Sequence, residues 1–266
     1  MTQTGSTARK PGRRSSGDTA AVRTLERGLH LLRILGEHQG LTLSDVARRA
    51  ELSPSTTYRL LQTLRAQGFA HLQEDAGLWQ VGAQAFVTGS AYQGRGSVTL
   101  AARNIMDELV SETGETINLS VLQEGEVMYI HQAEGRGLMR AFTHIGARAP
   151  LHCTGAGKVL TAWQDAPELL SVLGPGPYHA YTTHTLTTRS ALTEHLTQVR
   201  QQGYALDDEE RELGVRCVAL PVRGPGGQVV AALSLSAPST RLPAAQVPPL
   251  AALLQRASER ISARLG

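Results

Sequence analysis

Residues 41–69 read LTLSDVARRAELSPSTTYRLLQTLRAQGF, and this stretch restricts the fold more than any other in the chain. Leu43, Val46, Ala47 and Ala50 recur at helical spacing, as do Thr57, Leu60, Leu61 and Leu64. Glu51-Leu52 is the turn between the two helices. Thr42-Leu43-Ser44-Asp45 resembles a capping box with Asp in place of Glu, and Ser53-Pro54 places an N-cap hydroxyl before a proline that needs no N–H partner. Two short helices on a tight turn form a helix-turn-helix, the shape that sets its second helix in the major groove of DNA. At ~100° per residue, the face opposite Leu60 and Leu61 carries Ser55, Arg59 and Gln62. Thr56 and Tyr58 flank it, and Ser53 stands at the helix start. Arg pairs bidentately with guanine, Gln with adenine, and hydroxyls reach phosphates or bases. A merely solvated face usually carries Glu and Lys pairs, whereas no acid lies between Ser53 and Ala66.

The flanks complete a winged domain over 19–83. Val22, Leu25, Leu29 and Leu32 mark one face of a preceding helix, which His38-Gln39-Gly40 ends with Gly in the stop position. A strand from Phe69 to Leu72, a turn around Asp75-Ala76-Gly77 and a strand from Leu78 to Val81 make a small wing. The net charge is +3, and the excess of positive charge lies in the first third of the chain, as a nucleic-acid module requires. Residues 1–18 are polar and aperiodic and read as a disordered basic tail, in which Lys10, Arg13 and Arg14 are either phosphate contacts or simply solvated.

Residues 84–99 read as a linker helix, and 100–266 as a second domain. A helix to about Thr113 precedes a hairpin, Glu115 to Gln123 and Val127 to Gln132. A second hairpin follows, Cys217 to Val222 and Val229 to Ser236, turning on Gly224-Pro225-Gly226-Gly227, and a helix from about Gln246 closes the chain. Helices mixed with hairpins predict an α+β domain around an antiparallel sheet. No apolar stretch reaches the roughly 18 residues of a membrane span. The N-terminus lacks the apolar core of a secretory signal, so the expected compartment is the cytoplasm. Cys153 and Cys217 alone make no disulfide framework, and both are expected as thiols.

Several blocks together resemble the IclR family of bacterial transcription regulators, from about residue 20 to 240. They are the helix-turn-helix, TGETINLSVLQEGEVMYIHQ (113–132), GARAPLHCTGAGKVL (146–160), GYALDDEERELGVRCVALPV (203–222) and AALSLSAPSTR (231–241). The resemblance implies an N-terminal winged helix-turn-helix and a GAF-like effector domain. It also implies homodimers or dimer pairs on double-stranded operator DNA, and a small, often carboxylate-bearing metabolite as effector. The wing departs from the pattern, holding two acids and no Lys or Arg. By motif match the effector would meet the loop Thr154-Gly155-Ala156-Gly157 and the side chains of Asp207, Cys217, Ser234 and Ser236. The residues support this independently. Gly155 and Gly157 let backbone N–H groups approach an anion at a helix start. Ser234 and Ser236 alternate with Leu233 and Leu235 and so point the same way off one strand.

Other chemistries are set aside. A phosphate loop needs Gly at His152 and Ser or Thr at Val159, and a dinucleotide loop needs Gly at Leu160. If His152 and Cys153 share a strand they point to opposite faces and cannot act as a base and nucleophile pair. No metal-ligand spacing stands out, and no cofactor or catalytic group is expected. Two function classes remain: a ligand-responsive repressor, or a cytosolic small-molecule-binding or enzymatic domain whose helix-turn-helix serves only dimerisation.

Overall fold

The structure, a computed structural model, describes residues 22–93, 98–135 and 144–266. The basic tail at 1–18 lies outside the described residues. Those up to Tyr92 form one compact unit and those from Gln93 another.

In the first unit three helices carry a hairpin: α1 Arg23–Gly36, α2 Leu43–Arg49, α3 Pro54–Ala66, β1 Ala70–Gln73 and β2 Leu78–Val81, followed by α4 Ala83–Gln93. Thr42 caps α2 by accepting the Asp45 N–H, and Ser53 caps α3 by accepting that of Thr56. Leu31, Leu35, Val46, Leu61 and Trp79 fill the core. Leu41 exchanges both backbone hydrogen bonds with Trp79, which adds a short third strand to the hairpin.

Two expectations about α1 are corrected. Its buried face is Gly28, Leu31, Ile34 and Leu35, while Val22, Leu25 and Leu29 are 67%, 62% and 54% exposed. The helix carries two apolar stripes, and only one meets α2, α3 and Trp79. It ends at Gly36, with Glu37 as a right-handed C-cap, before Gly40 is reached. Gly40 serves packing instead, because a Cβ there would touch Leu78 and Gln80 at 3.4 Å. Of the expected linker, α4 covers residues to 93, positions 94–97 lie outside the described residues, and 98–99 already belong to the next helix.

The second unit comprises α5 Val98–Thr113, β3 Thr116–Gln123, β4 Glu126–Ala133, β5 Arg148–Ala149, α6 Gly155–Ala162, α7 Ala166–Leu173 and α8 Arg189–Gln202. It continues with β6 Ala205–Asp208, β7 Val215–Arg223, β8 Val229–Pro238 and α9 Val247–Ala263. The strands form one antiparallel sheet in the order β5-β4-β3-β8-β7-β6. Alternation divides the side chains between its faces. Leu233 and Leu235 join Ile105, Met106, Leu254 and Ile261 beneath α5 and α9. The opposite face carries small residues, Ala205, Ala219 and Ala232, against Ala156 and Val159 of α6. Small side chains let α6 lie close to the sheet, and this face holds the cavity described next.

Candidate functional site

Helix α3 presents the first candidate surface. Ser53 and Ser55 are exposed and Thr56 is half-buried. The Ser53 hydroxyl donates to Thr56 Oγ1 at 2.9 Å and lies 3.2 Å from Ser55 Oγ. Three hydroxyls thus cluster at the helix start, where the Ser53 cap already takes the Thr56 N–H, a disposition suited to phosphate. Arg59 is exposed, and among the described residues it has no ion pair. Gln62 is half-buried beside it. Tyr58 is 47% exposed, and its ring stands edge-on to Trp79 at 6.5 Å. That contact orients the ring and leaves its outer edge free. The other arginine of this helix, Arg65, is tied to the wing residue Glu74 at 2.8 Å, so that among the described residues Arg59 is the cation of α3 without an ion pair.

The second site rests on strand register. Asp207 on β6 pairs with Cys217 on β7, Cys217 with Ser236 on β8, and Ser236 with Thr116 on β3. Directly paired residues share a face, so four polar side chains form one row across four strands. Above the row lies a cavity of about 250 Å³. Thr154 and Ala156, at the start of α6, form its opposite wall, and Tyr129 and Ala149 close one side. Arg148, Arg211 and Glu212 complete the lining. Thr154 caps α6 by accepting the Gly157 N–H at 3.1 Å.

Of the six residues expected here, Ala156, Asp207, Cys217 and Ser236 border the cavity. Gly155 and Ser234 lie one layer behind. A Cβ on Gly155 would meet the Ala219 side chain at 3.2 Å and the Cys217 carbonyl at 3.3 Å, so this glycine allows the helix start to rest on β7. Ser234 pairs with Ala219 and Asn118 in the next row inward and is 2% exposed. Both serine hydroxyls lie within hydrogen-bonding reach of the Cys217 sulfur. Thr116, Tyr129, Arg148 and Arg211 were not expected. Thr116 was legible in principle, since it stands opposite Ser236 once the β3–β8 register is known, but register between distant strands leaves no local mark in a sequence.

Burial governs the electrostatics. It pushes the Asp207 carboxyl up to about 7, against the downward pull of Lys158 and of the Glu210 and Arg211 N–H groups. Those two N–H groups donate to Asp207 Oδ1 at 2.8 and 3.4 Å. Burial also drives the Cys217 and Cys153 thiols up to about 12 and raises the Tyr129 phenol. Cys217 and Tyr129 therefore line the pocket as neutral donors around the Asp207 carboxyl, with the charged side chains of Arg148, Arg211 and Glu212 beside them. His152 and Cys153 sit in the turn before α6, which corrects the expectation of a strand. His152 Nε2 contacts the His179 carbonyl at 2.9 Å and its ring stacks on Tyr178, while Cys153 is fully buried. Among the described residues, no group of three His, Cys, Asp or Glu is placed to hold a metal.

Comparison with known proteins gives a consistent result. Residues 24–74 match the IclR helix-turn-helix domain and residues 91–263 the C-terminal domain of the bacterial transcriptional regulator IclR. The chain is 37% identical over 245 residues to the HTH-type transcriptional regulator BhcR of Paracoccus denitrificans, across 92% of this chain and 88% of that protein. It is 35% identical over 261 residues to the transcriptional repressor IclR of Escherichia coli, across 97% and 95%. Among solved structures, an IclR homologue of Microbacterium hydrocarbonoxydans complexed with 4-hydroxybenzoate aligns with a TM-score of 0.77 at 26% identity, covering 91% of this chain and 98% of that one.

Proposed function

This chain belongs to the IclR family of bacterial transcriptional regulators, and from that premise we propose that it is a repressor whose operator affinity is set by a small acid bound in the cavity beneath α6. The DNA-binding part is assigned to residues 19–83, the linker to 84–99 and the effector part to 100–266. In this reading Ser53, Ser55 and Thr56 hold phosphate, Arg59 and Gln62 read base edges, and Tyr58 packs along the groove. The reading in which the helix-turn-helix serves only dimerisation is not favoured. It gives no reason for an exposed face that holds hydroxyls and, among the described residues, an Arg59 without an ion pair, but no acid.

The row Asp207–Cys217–Ser236–Thr116 facing the start of α6 carries the effector half of the proposal. It supplies hydroxyl and carboxyl donors opposite a helix N-terminus, the complement of a carboxylate bearing a hydroxyl or oxo group. A homologue holds 4-hydroxybenzoate, which belongs to this class. The pocket is read as a binding site and not a catalytic one, because thiols raised to about 12 are not nucleophiles at neutral pH.

Homodimers, or pairs of dimers, are proposed on DNA. The exposed stripe Val22, Leu25 and Leu29 on α1 supports self-association, since exposed apolar patches mark interfaces. Among the described residues no helix is long and apolar enough to cross a membrane; the cytoplasm, where operator DNA lies, is the compartment this reading takes for the protein.

A thermal-shift screen of the intact protein against small hydroxy-, oxo- and aromatic carboxylic acids tests the pocket. A ligand at about 100 times its Kd adds ~2.7 kcal/mol of stability. The expected result is a shift in the wild type that Asp207→Ala, which removes the donor facing the ligand, abolishes. A shift unaltered by that substitution places the ligand elsewhere.

A further inference from the structure

Lys158, at the end of the Gly-Lys block, is 0% exposed. A lysine is almost never buried this completely without a partner. Its ammonium donates to the Leu206 carbonyl at 2.8 Å and to the Glu210 carboxylate. These two residues flank Asp207, whose carboxylate accepts the Glu210 and Arg211 N–H groups. The Thr185 hydroxyl donates to the Glu210 carbonyl at 2.6 Å and fixes the same segment from outside. Lys158 itself belongs to α6, whose first turn forms the opposite wall of the cavity. One buried ammonium therefore spans both walls. Resting on the reading of the cavity as an acid-binding site, we propose that Lys158 is a positioning residue of that pocket, clamping segment 206–210 to α6 and, with Glu210, setting the charge that Asp207 presents to the ligand.

The pair acts on Asp207 in opposite senses: the Lys158 ammonium lowers its pKa and the Glu210 carboxylate raises it. Other groups surround the cluster on every packed element. Tyr129 lies on β4, His152 and Cys153 before α6, His195 on α8, Asp208 on β6, Arg211 after it and Cys217 on β7. Burial moves the phenol and both thiols up and both imidazoles down, away from neutrality. It raises both the Asp207 and the Glu210 carboxyl, Asp207 to about 7. A ligand carboxylate beside Asp207 favours its protonated form, because two adjacent carboxylates repel.

The test is a carboxyl ¹³C NMR titration of Asp207 in the full-length protein carrying Glu210→Gln or Lys158→Met. Loss of the anion lowers the Asp207 midpoint, and loss of the cation raises it, each by about 1 unit or more. A purely structural brace moves both midpoints downward, since either substitution admits water. Two midpoints falling together, or neither moving, overturns the proposal. If Lys158→Met does not fold, Glu210→Gln decides alone. Its midpoint must fall while hydrogen exchange of the residue 210 and Arg211 amides stays slow, and accelerated exchange contradicts the clamp.

4-Hydroxybenzoate serves as the ligand probe. For a midpoint lower by 1 unit, its binding to Glu210→Gln weakens about tenfold at pH 8 and by less than about twofold at pH 5.5. Absence of probe binding to the wild type counts against the acid-site reading, while the titration still decides the clamp.

Discussion

Asp207 sits at 5% exposure with a carboxyl raised to about 7 by burial. In the unfolded chain the same group titrates near 4. Between those values the folded state holds the proton and the unfolded state does not, so this residue makes stability fall as pH rises through the window of about 4 to 7. Asp207→Asn keeps the acceptor for the Glu210 and Arg211 N–H groups and never ionises. The ligand-free variant is therefore expected to unfold at a higher temperature than wild type at pH 8, by as much as about 4 kcal/mol of stability, with the advantage vanishing near pH 4. Melting curves across that range check it, and a constant difference at every pH would remove Asp207 as the titrating group. Arg59 poses the complementary case on the surface. Arg59→Ala is expected to lose ~1–3 kcal/mol of operator affinity and to relax preference at one base pair, without a change in melting temperature. Binding-site selection on both proteins measures this. Arg59 was legible from its place opposite the apolar stripe of α3, and Asp207 from the block 203–222 that resembles the family. The place of Gly155 and Ser234 behind the cavity wall was not, since facing direction along a strand does not tell how far along the strand a cavity extends.

At the scale of elements, the start of α6 is the most constrained feature of the pocket. A Cβ on Gly157 would stand 2.3 Å from the Leu151 carbonyl oxygen and 2.4 Å from its Cα, both backbone atoms. Gly157→Ala must displace the turn that positions Thr154 and Ala156. It is expected to cost about 1–3 kcal/mol or more and to abolish the ligand-induced shift. Gly155→Ala meets looser contacts at 3.2 Å and above and should retain a weakened shift. Equal behaviour of the two variants in the thermal-shift assay would contradict this account. In the helix-turn-helix, Glu51 occupies the left-handed region at φ 54°. Glu51→Gly relieves about 1 kcal/mol of strain, and a small rise in melting temperature is the expected result. The helices and hairpins were readable because caps, turns and periodicity are local. The buried face of α1 was misread for a physical reason. Leu25 and Leu29 are as periodic as Leu31 and Leu35, and periodicity reports an apolar face without naming what covers it.

For the whole molecule, the account requires that two sites in separate compact units share a free energy. Effector and operator each bias the same assembly, so each changes the other's affinity by one factor, typically worth 1–3 kcal/mol. Antiparallel sheet, winged domain and family were legible from blocks spread along the chain, because each block carries both packing and function. The cavity was not, because it arises where β3 comes into register with β8, a strand more than a hundred residues later. The most direct measurement is operator affinity, by fluorescence anisotropy on a duplex selected from random DNA, with and without the acid found by thermal shift, for wild type and Asp207→Ala. The account predicts a ligand-dependent change of about 5- to 150-fold in the wild type, and none in the variant, whose ligand-free DNA affinity is unaltered. A ligand that binds the wild type and leaves its DNA affinity unchanged would contradict it.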